Sequence, residues 1–94
     1  LALELHEPDP KIRELLSANF SNWVAAIEGC LVEAGDRLPA DLDRKSLAEF
    51  VLTVMEGAIM QARTYRDVGY FDRSVEILRD HFARLERQAE IAAA

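Results

Sequence analysis

The segment Leu47–Asp67, LAEFVLTVMEGAIMQARTYRD, has an apolar surface too broad for a helix with one packed face. Apolar residues recur there at the three- and four-residue steps of a single helix face. This first stripe comprises Leu47, Val51, Val54, Met55, Ala58, Ile59, Ala62 and Tyr65. A second, uncharged stripe comprises Phe50, Thr53, Gly57, Gln61 and Thr64. A solvent-facing helix would carry Lys and Glu at such positions, so the pattern predicts a helix with two packed faces.

The chain length limits how much of this surface the molecule can bury by itself. With 94 residues, of which 50% are hydrophobic, the chain is long enough for one small packed domain. A domain of this size buries only about 60–65% of the surface of its unfolded chain, so its core is marginal unless something extends it. The composition therefore argues against disorder and favours a globular domain that associates with a second copy.

The first long helix is predicted for Pro10–Ala34. Asp9 is a suitable N-cap, Pro10 fits the first helical position, and Gly35 stands where a glycine commonly ends a helix. The apolar stripe of this helix comprises Ile12, Leu16, Phe20, Trp23, Ile27, Leu31 and Ala34, with Leu15, Ala26 and Cys30 beside it. Leu1–Leu5 is predicted to be the end of an earlier helix. Because the sequence starts without Met, we expect it to be a piece of a longer protein.

Two further helices complete the predicted fold. Asp41 or Asp43 caps the second helix, which ends at Tyr65 or Arg66, and the third covers about residues 70–88. The core stripe of the third helix comprises Phe71, Val75, Leu78, Phe82 and Leu85, and its second stripe comprises Tyr70, Ser74, Ile77, His81, Arg84 and Gln88. The tail from about residue 89 is expected to be disordered. We predict an all-α, antiparallel bundle of three main helices in one domain, residues 1–94, forming a four-helix dimer interface with a second copy.

Charge and cysteine usage argue against several classes of protein. The net charge is −6, and the arginines near the end of the chain alternate with acidic residues, so no basic stripe is available for DNA contact. Cys30 is the single cysteine, so neither an intrachain disulfide nor a cysteine metal site can form. No signal peptide is recognisable, and no apolar run approaches the roughly 18 residues that span a bilayer. A cytoplasmic protein without a membrane partner is expected.

No constellation of catalytic or metal-binding residues is recognisable. The two histidines, His6 and His81, lack the Glu-x-x-His and His-Glu-x-x-His spacings of metal sites. His81 fits an interface better than a catalytic role, and Glu56 is interpreted as a solvated carboxylate on the polar side of the second helix. We expect no enzymatic activity, no metal and no cofactor.

Several residues on the predicted apolar faces allow two interpretations. Asn19 is either a satisfied core amide, the interpretation that we favour, or a ligand contact. Trp23 and Met55 suit either a core or the wall of a pocket. Cys30 is interpreted as a small buried apolar residue, and Met60 is assigned to the interface because it lies nearer the polar side of its helix.

The order of these motifs is specific enough to suggest a family. A long helix introduced by Asp-Pro and ended by Gly-x-x-Leu-Pro precedes the segment Leu47–Asp67, with its Glu56-Gly57-Ala58 step, and a shorter helix with ILRDHFARL follows. From about Glu7 to Leu85, this pattern resembles the C-terminal domain of the TetR family of transcriptional regulators.

The resemblance implies a domain that forms a homodimer and senses a small apolar or amphipathic effector. It also implies a repressor, whose N-terminal helix-turn-helix alone contacts DNA and lies outside this sequence. In the family, the last two long helices of each subunit pair into a four-helix interface. Carried onto this chain, that interface comprises Phe50, Thr53, Gly57, Gln61, Thr64, Ile77, His81, Arg84 and Gln88. Gly57 would allow close approach of two helix backbones. From the burial pattern, we expect effector contacts at Asn19, Trp23 and Met55.

An alternative function remains open at this point. The same uncharged stripes would suit a helical interaction module that binds a different protein and has no role in transcription. A helix-turn-helix upstream of Leu1 would distinguish the regulator from this module.

Overall fold

The computed structural model describes residues 9–94 as three α-helices and one short 3-10 turn. Helix α1 spans Pro10–Glu33, α2 spans Arg44–Tyr65 and α3 spans Gly69–Ala93, with the 3-10 turn at Gly35–Arg37. Successive helices run antiparallel, and α2 packs against both α1 and α3. The predicted all-α bundle of three main helices is confirmed. The predictions for Leu1–Leu5 and His6 lie outside the described residues.

The helix ends follow from groups that satisfy the free backbone atoms there. The Asp9 carboxylate accepts a hydrogen bond of 2.8 Å from the N–H two residues on, as expected for the N-cap of α1. Gly35 follows α1 with a φ of +55°, a conformation that glycine adopts without strain. Of the two candidate caps of α2, Asp43 is the one used, since it accepts a hydrogen bond of 3.0 Å from Ser46 N.

The main core lies at the end of the bundle where α1 finishes and α2 begins. Its buried residues are Leu31, Leu38, Leu47, Ala48 and Leu85, and partly buried Val24, Ile27, Ala34, Leu42, Val51 and Phe82 pack against them. Leu38, in the loop between α1 and α2, belongs to this cluster, so the loop is anchored by an apolar side chain. Ala48 is fully buried although neither predicted stripe includes it.

Helix α3 continues through the tail that was expected to be disordered. It runs to Ala93, beyond the predicted end near Gln88, and Ala89 is buried. Ala92 and Ala93 face the loop at Leu38. Ala92 and Ala93 are exposed at the edge of the cleft that they form with this loop, and the buried Ala89 lies one turn earlier. The expectation of a disordered tail is therefore corrected.

Helix α1 is less buried than its apolar stripe predicts. Among its residues only Leu31 is buried, and the stripe from Ile12 to Trp23 remains exposed. Asn19 and Cys30 are exposed too, so the preferred core interpretation of Asn19 and the buried interpretation of Cys30 are wrong for this chain. The reason is geometric: α1 turns the face of Val24, Ile27 and Leu31 towards the bundle, and the adjacent face points away from it.

The apolar character of α1 also bears on the expectation that no segment spans a membrane. In the described part of the chain, this helix alone has the length and composition to cross a bilayer, with 24 residues and a window of mean hydropathy 1.2. This result rests on the length and the composition of the helix alone. Packed helices of soluble proteins can have the same length and composition.

Candidate functional site

The uncharged stripe of α2 lies on the surface of the single chain. Phe50 is 54% exposed, Thr53, Gln61 and Thr64 are exposed, and Gly57 is half-buried. The side chains of α1 and α3 flank this surface without covering it. Among the described residues, no helix covers the stripe. Packing within this part of the chain therefore does not explain why the stripe has no charged residues.

The two threonine hydroxyls of this stripe are satisfied by their own helix. Thr53 Oγ1 donates to the backbone carbonyl of Glu49 at 2.9 Å, and Thr64 Oγ1 donates to that of Met60 at 2.8 Å. Hydroxyls bonded four residues back leave the threonine methyl groups as the outward-facing surface. Such side chains can be buried against another helix without leaving an unpaired polar group.

A groove between α2 and α3 brings both predicted stripes together. Its volume is ≈ 340 Å³, and its lining consists of Phe50, Ile77, Leu78, Asp80, His81 and Arg84. Ile77 is 69% exposed, and His81 lies edge-on to Phe82 with the ring centroids 6.2 Å apart. Of the predicted interface set, the structure thus places Phe50, Ile77, His81 and Arg84 side by side, and Gln88 is exposed further along α3.

Gly57 faces open space in the single chain. A Cβ atom built at this position meets no heavy atom within 4 Å beyond its own helix. The packing of the described bundle therefore gives no reason for glycine, which costs about 1 kcal/mol relative to alanine inside a helix. The close backbone approach for which Gly57 is suited would have to come from outside this chain.

A second groove lies between α1 and α2, on the other side of the α2 stripe. It has a volume of ≈ 540 Å³, and its lining consists of Trp23, Glu56, Ile59, Met60, Arg63 and Thr64. Trp23 is 53% exposed and Met60 is 69% exposed, so both present apolar surface to the groove. Met60 and Thr64, both assigned to the interface, lie here beside Trp23 and away from the α2–α3 groove.

The three predicted effector contacts are not brought together. Trp23 lines the α1–α2 groove, Asn19 is exposed one turn earlier on α1, and Met55 is half-buried on α2. Neither Asn19 nor Met55 is among the residues that line this groove. Effector binding by Asn19 and Met55 stays a prediction without a shared pocket.

Sequence reasoning missed the groove residues of α2 that accompany Trp23. Glu56, Ile59, Met60 and Arg63 follow at steps of three, one and three, the spacing of one helix face. Glu56, interpreted as a solvated carboxylate, is half-buried in this groove. The spacing was visible in the sequence, but the position of Trp23 opposite it depends on how α1 and α2 cross.

Nothing in the described residues offers a metal centre, because no group of three or more His, Cys, Asp or Glu side chains is placed to hold an ion. The arrangement instead consists of two apolar grooves on either side of one uncharged helix face. Such surfaces bind other helices and small amphipathic molecules.

Comparison with known families decides which class of protein this bundle represents. A profile described as "Transcriptional regulator LmrA/YxaF-like, C-terminal domain" matches residues 1–90. The chain belongs to this family of TetR-type C-terminal domains. No curated protein and no solved structure matches the chain significantly. The family is that of a regulatory domain from transcriptional regulators, which agrees with the resemblance carried by Leu47–Asp67.

Proposed function

We propose that this LmrA/YxaF-like domain forms the homodimer and the effector sensor of a transcriptional repressor in the cytoplasm. Operator DNA is bound by a helix-turn-helix encoded upstream of the sequence described. The observation that carries this proposal is the surface around Gly57, where an unobstructed glycine is flanked by threonines whose hydroxyls are already bonded.

The proposed dimer pairs α2 and α3 of one subunit with the same helices of the other. A two-fold axis near Gly57 places the same surface on both subunits, as an isologous interface requires. Phe50 and Ile77 supply exposed apolar side chains at the α2–α3 groove, with His81 and Arg84 beside them. The other residues assigned to the interface, Thr53, Gln61, Thr64 and Gln88, are exposed further along the two helices. Arg84 and Asp80 in the same groove allow charge pairing across the axis.

Effector sensing is assigned to the groove between α1 and α2. An occupant of this groove would contact Trp23 on α1 and Met60 on α2, so it would favour one relative placement of these two helices. Since α2 also forms the proposed dimer interface, such a shift changes the spacing of the two DNA-binding heads. Operator half-sites lie one helical turn of DNA, about 34–36 Å, or a multiple of it apart, so a changed spacing releases DNA.

The test of the dimer compares two glycine variants by light scattering. Gly57→Leu places a bulky side chain at the proposed axis, whereas Gly29→Leu places the same side chain at an equally open helical glycine on α1. We expect a dimer for the wild type and Gly29→Leu, and a monomer for Gly57→Leu. A Gly57→Leu variant that stays dimeric would reject this interface. A wild-type monomer that pairs with a different chain would favour the interaction module instead.

A further inference from the structure

We infer that the groove between α1 and α2 binds a small aromatic cation, with Glu56 as the charge partner and Trp23 as the aromatic wall. This inference rests on the proposed effector-sensing role and names the chemical class of the ligand. The groove, at ≈ 540 Å³, has the size of small-molecule sites, which are typically about 300–1,000 Å³.

The first argument is the environment of Glu56. This residue is half-buried in a groove whose other α2 side chains include Ile59 and Met60, and none of the described hydrogen bonds or ion pairs involves its carboxylate. A partly desolvated carboxylate without a partner is stabilised by a cation that enters the groove.

The second argument is the wall provided by Trp23. The indole is 53% exposed and lines the same groove as Glu56. The face of an indole ring attracts cations and repels anions, because its quadrupole is negative there. Met60 adds a polarizable side chain that adapts to flat or irregular apolar groups. These neighbours select a ligand that combines a positive charge with an aromatic body.

The opposing charge in the groove is Arg63. It lies seven residues after Glu56 on the same helix, about 10 Å further along the axis, and its side chain is exposed. Water screens an exposed guanidinium more effectively than a half-buried carboxylate, so Glu56 dominates near Trp23. The net charge of −6 acts in the same direction over the whole molecule.

The experiment uses the emission of Trp23, the single tryptophan of the chain, as a reporter at the site. Benzyltriethylammonium, benzyl alcohol and phenylacetate are titrated as cationic, neutral and anionic probes, with calorimetry as a readout independent of fluorescence. We expect benzyltriethylammonium to bind most tightly. Glu56→Gln should weaken its binding about five- to tenfold, and Arg63→Gln should strengthen it about twofold.

Glu86→Gln on α3 is the matched control, because it makes the same change in net charge at an exposed site away from the groove. It should leave the affinity for all three probes unchanged, and circular dichroism verifies that each variant is folded.

Equal binding of the three probes, or equal effects of Glu56→Gln and Glu86→Gln, would overturn the cation assignment while leaving a sensing groove in place. Tighter binding of phenylacetate that Arg63→Gln abolishes would assign the groove to anions. A lack of response to any probe would reject both the cation site and the sensing role of this groove, without bearing on the dimer.

Discussion

Single residues determine where α2 begins and ends. Asp43 bonds Ser46 twice, through Oδ1 to the backbone N–H at 3.0 Å and through Oδ2 to the hydroxyl at 2.8 Å. These hydrogen bonds from the Ser46 backbone and side chain hold the pKa of the Asp43 carboxyl below its ordinary value of 3.8. At the other end, Arg66 adopts the left-handed conformation with a φ of 52°, which lets Asp67 N bond the carbonyl of Ala62 at 3.0 Å.

The lowered pKa of Asp43 predicts a specific pH dependence of stability. A carboxyl whose pKa is lower in the folded state contributes stability above its ordinary pKa of 3.8, and this contribution is lost as the pH falls through the folded value. Asp43→Asn keeps an oxygen that can cap the helix but cannot titrate. We expect the melting temperature of the wild type relative to Asp43→Asn to be constant near neutral pH and to fall below about pH 4.

The neighbouring Asp41→Asn variant is the control, since Asp41 was the other candidate cap and does not cap α2. Thermal melts at several pH values, followed by circular dichroism, measure the difference. The capping role would be contradicted if the difference in melting temperature between the wild type and Asp43→Asn stayed constant down to pH values well below the range in which carboxylates titrate.

At the scale of the elements, Arg44 joins α1, the loop and α2. Its guanidinium donates from Nε to the Leu31 carbonyl at 3.1 Å, from Nη2 to the Gly35 carbonyl at 2.9 Å and from Nη1 to the Pro39 carbonyl at 3.4 Å. The last carbonyls of a helix have no partner within the helix, so this side chain satisfies the Leu31 carbonyl that α1 leaves free. The planar fork of arginine allows several such hydrogen bonds from one residue.

We therefore expect Arg44→Lys to destabilise the bundle although it preserves the charge. Lysine cannot reach three carbonyls with a fixed fork, and loss of these bonds should cost about 1–3 kcal/mol. For a domain of this size, each kcal/mol lowers the melting temperature by about 4–8 °C. Arg87→Lys, at an exposed position of α3, provides a control that should melt like the wild type. Urea unfolding curves of both variants measure the change, and equal stability of the two would refute the joining role of Arg44.

At the scale of the whole molecule, the apolar residues are divided unevenly between the core and the surface. The core cluster lies near the loop between α1 and α2, whereas large apolar side chains along α1 and on α2 remain exposed, among them Leu15, Phe20, Trp23, Phe50 and Met60. Trp23 and Met60 share one groove, and adjoining exposed apolar side chains of this kind are typical of sites that bind other chains or ligands. The stability of the isolated subunit is thus limited by burial that another surface could supply.

If the proposed dimer supplies this burial, stability depends on protein concentration. Unfolding then separates two subunits, so mass action raises the melting temperature by about 3–4 °C for each tenfold increase in concentration. Calorimetric scans over a hundredfold range of concentration measure this dependence, with Gly57→Leu expected to show none. A melting temperature of the wild type that does not change across the range would contradict obligate dimerisation.

Periodicity and capping residues predicted most of the fold, because both act over a few residues along the chain. Asp9, Gly35 and Asp43 gave the helix boundaries within about two residues, a range over which helix ends vary with definition in any case. The tail of α3 was misjudged because AEIAAA has little pattern of its own. Ala89 is buried and lines one cleft with Leu38, more than 50 residues earlier in the sequence, and local periodicity cannot predict this proximity.

The candidate sites were predictable only in part. The stripe around Gly57 could be recognised because its residues belong to one helix, and the same holds for Ile77, His81 and Arg84 on α3. That Phe50 meets the α3 residues in one groove, and that Trp23 meets Glu56 and Met60 in another, depends on the angle and register of helix packing. Asn19 was predicted to lie in the core and is exposed. The apolar stripe on α1 does not say which part of it a neighbouring helix covers.

The sequence by itself determined three amphipathic helices, their caps and a second, uncharged face on α2, because each of these depends on residues close together in the chain. Only the tertiary structure decided which apolar residues are buried, which half of α1 lies against the bundle and which side chains share a groove. The physical reason is that burial depends on the relative positions of whole helices. Those positions are set by the core around Ala48 and Leu85, the loop anchor Leu38 and the hydrogen bonds of Arg44.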